Sequence, residues 1–153
     1  MKTETVNYKA TNVELEGFVA FPDEEKAPLV LIAHTWAGKD EFVHKKAEDL
    51  AELGYVGFAV DMYGNGKIGA DTAENESLMT PLVSDRNMLK DRIVSALHYG
   101  KSLPGVDPNR TAAIGYCFGG LVALDLARSG ENLQGVVSFH GLLMGSDISE
   151  KGI

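Results

Sequence analysis

The sequence predicts an α/β fold: a mostly parallel, doubly wound sheet preceded by an antiparallel hairpin. Two observations predict it. The first 21 residues alternate apolar and polar side chains in two short segments. Further on, continuous apolar runs over 28–34, 55–61 and 133–140 are separated by stretches with helical spacing. Alternation marks a strand with one solvated face, and a continuous run marks a strand buried on both. Buried strands alternating with helices imply right-handed crossovers and helices on both faces of the sheet.

Each element follows from local chemistry. Residues 4–10 and 13–21, split by Thr11-Asn12, read as the hairpin. The charged turn Pro22-Asp23-Glu24-Glu25-Lys26 leads into the run over 28–34. Asp40 is placed to cap a helix carrying Phe42, Ala47, Leu50 and Ala51 at helical spacing, with Gly54 closing it. After the strand over 55–61 comes a Gly-rich loop over 63–70. The acidic segment 71–77 has no apolar period and reads as a surface excursion. One long helix is expected over 81–101, with Leu82, Leu89, Ile93, Ala96 and Leu97 inward. A turn over 104–110 then precedes a strand ending at Ile114, a helix ending before Gly130, and the strand over 133–140. Residues 141–153 carry no pattern.

Composition narrows the function classes. The 153 residues suit one domain, 1–153, and 44% hydrophobic with 24% charged residues is ordinary globular composition. A net charge of −8, with no basic cluster beyond Lys45-Lys46, argues against nucleic acid or an anionic membrane as partner. A single cysteine forms no internal disulfide, the first residues lack a signal-peptide apolar stretch, and no run suits a membrane span. The expected location is cytoplasmic. The four histidines show no pair at metal-ligand spacing, so no metal is expected.

The chemistry concentrates at Gly115-Tyr116-Cys117-Phe118-Gly119-Gly120. A strand runs straight into a helix there, with Cys117 at the corner and glycines at −2 and +2. That pattern is a nucleophile elbow with cysteine in the serine position. The small residues let strand and helix approach, and a helix N-terminus favours an anion. The alternative is a lone cysteine acting as a small hydrophobe. Ligands of such sheets bind at the carboxyl ends of the strands, where His34-Thr35-Trp36, Asp61-Met62-Tyr63, Cys117 and His140 all fall. Two backbone amides suit an oxyanion: Phe118, following the nucleophile, and Trp36 in the loop after the first buried strand. His34, Thr35, Tyr63, Arg86 and His140 are expected to line a substrate pocket, with Arg86 able to meet a carboxylate. His34 has the competing role of anchoring its loop.

These motifs resemble the dienelactone hydrolase family of the α/β-hydrolase fold. The resemblance rests on the cysteine elbow, on His34-Thr35-Trp36-Ala37-Gly38 followed by Asp40-Glu41-Phe42, and on Asp61-Met62-Tyr63-Gly64, in the family's order. It implies a cofactor-free hydrolase of small esters or lactones, with Cys117 as nucleophile and the Trp36 and Phe118 amides as oxyanion hole. In the founding enzymes a glutamate occupies the position of Thr35, which points away from dienelactone itself as substrate. The family's triad aspartate and histidine come after two further strands, beyond Ile153. The chain is therefore expected to be an incomplete hydrolase domain lacking the last strands. Of the residues past the elbow, His140 is a weak substitute base, Asp125 is expected on a solvated face, and Asp147 and Glu150 lie in the unpatterned tail. Val136, Val137 and Phe139 are expected at an exposed sheet edge that supports self-association. The alternative to an enzyme is a catalytically silent binding protein or an inactive fragment of the fold. A third reading, a nucleotide site at Gly64-Asn65-Gly66-Lys67-Ile68-Gly69, fails because no apolar helix follows the glycines.

Overall fold

One six-stranded sheet carries the fold in the computed structural model, which describes residues 1–145. In chain order the elements are β1 (Lys2–Ala10), β2 (Val13–Phe21), β3 (Ala27–Ala33), α1 (Glu41–Glu52), β4 (Val56–Ala59), α2 (Thr72–Ser84), α3 (Arg86–Ser102), β5 (Val106–Tyr116), α4 (Phe118–Arg128) and β6 (Gly135–Phe139). Across the sheet the strands run β1-β2-β4-β3-β5-β6. β1 and β2 form the hairpin, and β2 joins β4 antiparallel. The β4-β3-β5-β6 pairings are all parallel, as expected of a doubly wound sheet.

Both faces are covered because the central strands are apolar on both sides. On one face α1 sets Val43, Ala47 and Ala51 against Ala20, Ile32 and Ala59. On the other, Leu89, Ile93 and Leu97 of α3 and Leu121 of α4 pack over Leu29, Leu31 and Phe58. Each of these side chains is fully buried. At roughly 1.5–3 kcal/mol per fully buried large apolar side chain, this second face supplies most of the driving force.

The structure corrects the sequence reading in several places. Residues 71–77 do lie on the surface, but as the start of a helix rather than an irregular excursion: Asp71 caps α2 by accepting the Glu74 amide at 2.9 Å. Leu82 is the one fully buried side chain of α2, so that helix needs no apolar stripe and leaves no period to read. The single helix expected over 81–101 is two, because α2 ends at Ser84 and Asp85 caps α3 through the Met88 amide at 3.1 Å. On α1 the buried stripe runs through Val43; Phe42 is 45% exposed and meets Tyr116 edge-on. The expected turn before the elbow strand lies within β5 as an irregularity, where pairing jumps from Pro28–Asp107 to Leu29–Thr111.

β6 is an edge strand. Val137 and Phe139 are exposed on it, whereas Val136 packs against the main core. No helix among the described residues is long and apolar enough to cross a membrane. Asp147 and Glu150 lie outside the described residues.

Candidate active site

Cys117 stands at the junction of β5 and α4, as the N-cap of the helix, with φ 59° and ψ −115°. A non-glycine residue there carries strain of order 1–3 kcal/mol and needs surroundings that enforce it. Two backbone bonds do so: the Cys117 amide donates to Phe139 O at 2.7 Å, and the Gly120 amide donates to Cys117 O at 2.9 Å. The flanking glycines permit the close approach. A Cβ on Gly115 would lie 1.8 Å from Gly119 O, and one on Gly119 would lie 2.1 Å from Ala33 O. The thiol is left exposed while Phe118 behind it is fully buried.

The loop after β3 starts against the first turn of α4, where a Cβ on Gly119 would lie 2.5 Å from His34 O. Thr35 organises it: its hydroxyl accepts the Ala37 amide at 3.2 Å, and its carbonyl accepts the Gly38 amide at 3.2 Å. The Trp36 amide, on the peptide shared with the Thr35 carbonyl, has no partner among the described residues, and neither does the Phe118 amide. The first amides of a helix have no intrahelical acceptor, which leaves Phe118 free to donate outward.

His34 does not line a pocket. It is fully buried, its Nδ1–H donates to Thr35 O at 2.6 Å, and its Nε2 accepts the Met62 amide at 3.0 Å. Both ring nitrogens are therefore committed in one neutral tautomer, and burial holds the imidazole below its ordinary pKa. Because Thr35 O is pinned on one side of the peptide, the Trp36 N–H is directed to the other. The loop-anchoring role is the one the geometry supports.

Asp61 supplies an anchor that the sequence reading located at a strand end without giving it a role. The buried carboxylate accepts four backbone amides: Tyr63 (2.9 Å) and Gly64 (3.0 Å) on Oδ1, Glu16 (3.0 Å) and Gly66 (2.8 Å) on Oδ2. The amides of Asn65, Lys67 and Gly69 are held by Glu14 O, Gly64 O and Ala37 O. Those amides face protein acceptors, so the Gly64–Gly69 motif offers no phosphate cradle. Tyr63, 9% exposed, sends its hydroxyl to Trp36 O at 2.7 Å rather than into an open pocket.

Arg86 is likewise committed. Its Nε and Nη2 grip Asp125 at 2.5 and 2.7 Å, and Nη2 also donates to Met144 O at 2.8 Å. The expectation that it meets a substrate carboxylate fails because a protein carboxylate already holds it. Asp125, expected on a solvated face, is fully buried between Arg86 and Arg128, whose Nη1 lies 2.9 Å from it. The acid beside a basic residue at i, i+3 was the available signal. His140 sits exposed just past β6, with φ 55°, one residue after the carbonyl that receives the Cys117 amide. Among the described residues no group of three His, Cys, Asp or Glu side chains could hold a metal.

A strained strand-to-helix corner at the carboxyl edge of a doubly wound sheet is the architecture of α/β-hydrolases. The pattern of the dienelactone hydrolase family matches residues 15–152, and the chain belongs to that family. Among solved structures it is similar to m3DLH, at 33% identity and a TM-score of 0.90, over 94% of this chain and 60% of that one. It is also similar to a dienelactone hydrolase-like promiscuous phosphotriesterase from metagenomic libraries, at 31% identity and a TM-score of 0.88, over 92% of this chain and 59% of that one. Carboxymethylenebutenolidase 1 of Cupriavidus pinatubonensis is 28% identical over 116 residues, covering 72% of this chain and 49% of its own. The chain spans about half the length of the curated relatives it matches.

Proposed function

We propose that the chain is a cysteine hydrolase of small esters or lactones acting through an acyl-Cys117 intermediate. The carrying observation is the exposed thiol at a strained strand-to-helix corner, with unpaired amides at Phe118 and Trp36. The thiolate attacks the ester carbonyl carbon, and its sulfur gains a bond as the carbonyl oxygen takes up charge. The amides of Phe118 and Trp36 donate to that oxygen; one such donor is worth about 2.7–4 kcal/mol in comparable sites. Collapse breaks the carbon–oxygen bond to the alcohol, which leaves as the alkoxide and takes back from solvent the proton the thiol had released, and water later cleaves the thioester to acid and free thiol. The family to which the chain belongs supports ester or lactone chemistry. Two features keep the reading general: Thr35 offers no ionisable group, and Arg86 is paired with Asp125.

Intact-mass measurement during incubation with p-nitrophenyl acetate, beside Cys117→Ala, tests it. The expected result is a single acetyl adduct on the native chain and none on the variant. A persistent adduct locates the missing step in deacylation, and turnover means that His140 or another base serves it. No adduct on the native chain would remove the enzymatic reading in favour of a silent binding protein.

A further inference from the structure

The two candidate oxyanion donors lie on different elements, and their spacing must be held for both to reach one oxygen. Phe118 is fixed by α4 and the core. Trp36 lies in a loop of seven residues between β3 and α1, half-buried. One side chain touches both. The Tyr63 ring stacks on Phe118 with centroids 5.9 Å apart at 19°, and tilts against His34 at 4.8 Å. Its hydroxyl donates to Trp36 O at 2.7 Å. Its own amide is held on Asp61 Oδ1, so the residue that braces the loop is itself braced from the next strand end.

The peptide geometry explains what that hydroxyl contributes. The Trp36 N–H belongs to the peptide whose carbonyl, Thr35 O, is fixed by His34 and Gly38. The following peptide carries Trp36 O, and Tyr63 fixes it. The Thr35 carbonyl orients the peptide that carries the N–H; holding the next peptide through Trp36 O ties the residue between them to the ring stacked on Phe118, and so fixes where that N–H stands relative to the Phe118 amide. Burial first, and the nearby Cys117 second, keep the Tyr63 phenol above its ordinary pKa, so it stays a donor.

Resting on the acyl-cysteine reading above, we infer that Tyr63 is a positioning residue: its O–H holds the Trp36 carbonyl so that the Trp36 and Phe118 amides converge on one oxyanion. Geometry of this kind matters because a donor must sit at about 2.7–3.1 Å from the oxygen as charge develops.

Tyr63→Phe keeps the ring packing and deletes only the donor. Two reactions of Cys117 separate the roles. Acetylation by p-nitrophenyl acetate passes through an oxyanion, whereas alkylation by iodoacetamide displaces iodide and forms none. The expected result is that maximal acetylation slows about 10- to 100-fold, less than or equal to the loss of one donor, with half-saturation unchanged. Alkylation proceeds at the native rate. Equal slowing of both reactions would overturn the inference, because the hydroxyl would then support the corner as a whole. No slowing of either would also overturn it, leaving the acyl-cysteine reading intact. A native chain that is alkylated but never acetylated would remove that reading and the positioning role together.

Discussion

Asp61 is where removal of one side chain should do the most damage, and the structure gives the size. Four backbone amides converge on its carboxylate from three segments: Glu16 on β2, Tyr63 and Gly64 just after β4, and Gly66 in the loop. In Asp61→Ala all four lose their acceptor. Tyr63 and Gly64 are buried and cannot recover a partner, whereas Glu16 and Gly66 are half-buried and can turn to water. An orphaned buried donor costs about 1–3 kcal/mol, so two of them set an expected loss of about 4 kcal/mol. Asp61→Asn keeps one acceptor oxygen and presents an NH2 group to the other pair. With the oxygen retained toward Tyr63 and Gly64, the loss falls on the solvated pair and should be about half as large. Urea unfolding followed by circular dichroism, with the slope compared between variants, measures both. A loss below about 1 kcal/mol in Asp61→Ala would refute the reasoning, and so would an Asn variant as unstable as the Ala variant. Where Asp61→Ala does not fold, Asp61→Asn still decides it.

Two further predictions follow from buried charge. Asp125→Asn leaves two guanidiniums, Arg86 and Arg128, facing an amide; breaking such a buried group costs about 3–5 kcal/mol, and urea unfolding should show a loss of at least about 3. A loss under 1 kcal/mol would mean that the cluster contributes packing rather than charge pairing. His34 and His44 both have imidazoles held below their ordinary pKa, mainly by burial. The unfolded chain therefore binds more protons than the folded one once pH falls below about 6.5, and stability drops from there downward. In His34→Gln the fall between pH 6.5 and 5.5 should be shallower by up to about 1.4 kcal/mol per pH unit. Parallel pH curves for the two proteins would show that His34 takes up no extra proton on unfolding.

The parts of the fold legible in the sequence were those in which burial writes a period. Strands buried on both faces gave continuous apolar runs, and α3 gave Leu89, Ile93, Ala96 and Leu97. The elbow was legible for a different reason. Its glycines answer a backbone collision with Ala33 and Gly119 that no other residue survives. α2 was illegible because it lies mostly on the surface, with its cap at Asp71 as the only local mark. Charged residues misled for the same physical reason. Asp125 looks like a solvated residue in isolation, and only its pairing with the half-buried Arg86 at 2.5 Å and with Arg128 explains why it can be fully buried. Partners 39 positions apart leave no trace in a local pattern.

The polar groups around the corner show how the fold separates structure from chemistry. Amides around the β5–α4 corner are satisfied one by one: Met62 by His34, Tyr63, Gly64 and Gly66 by Asp61, Ala37 by the Thr35 hydroxyl, and Cys117 by Phe139 O. Each of these bonds uses a side chain or carbonyl that could otherwise have met a ligand. That is why His34, Asp61 and Arg86, the polar residues most conspicuous in the sequence, turn inward. Buried amides without acceptors are costly, so a fold keeps them where something else will supply the acceptor. Trp36 and Phe118 have amides without a partner among the described residues, and the Phe118 amide directly follows the exposed Cys117. On the acyl-cysteine reading proposed above, the acceptor that suits them is an oxygen brought by the substrate, and its negative charge is greatest when the sulfur has added to the carbonyl.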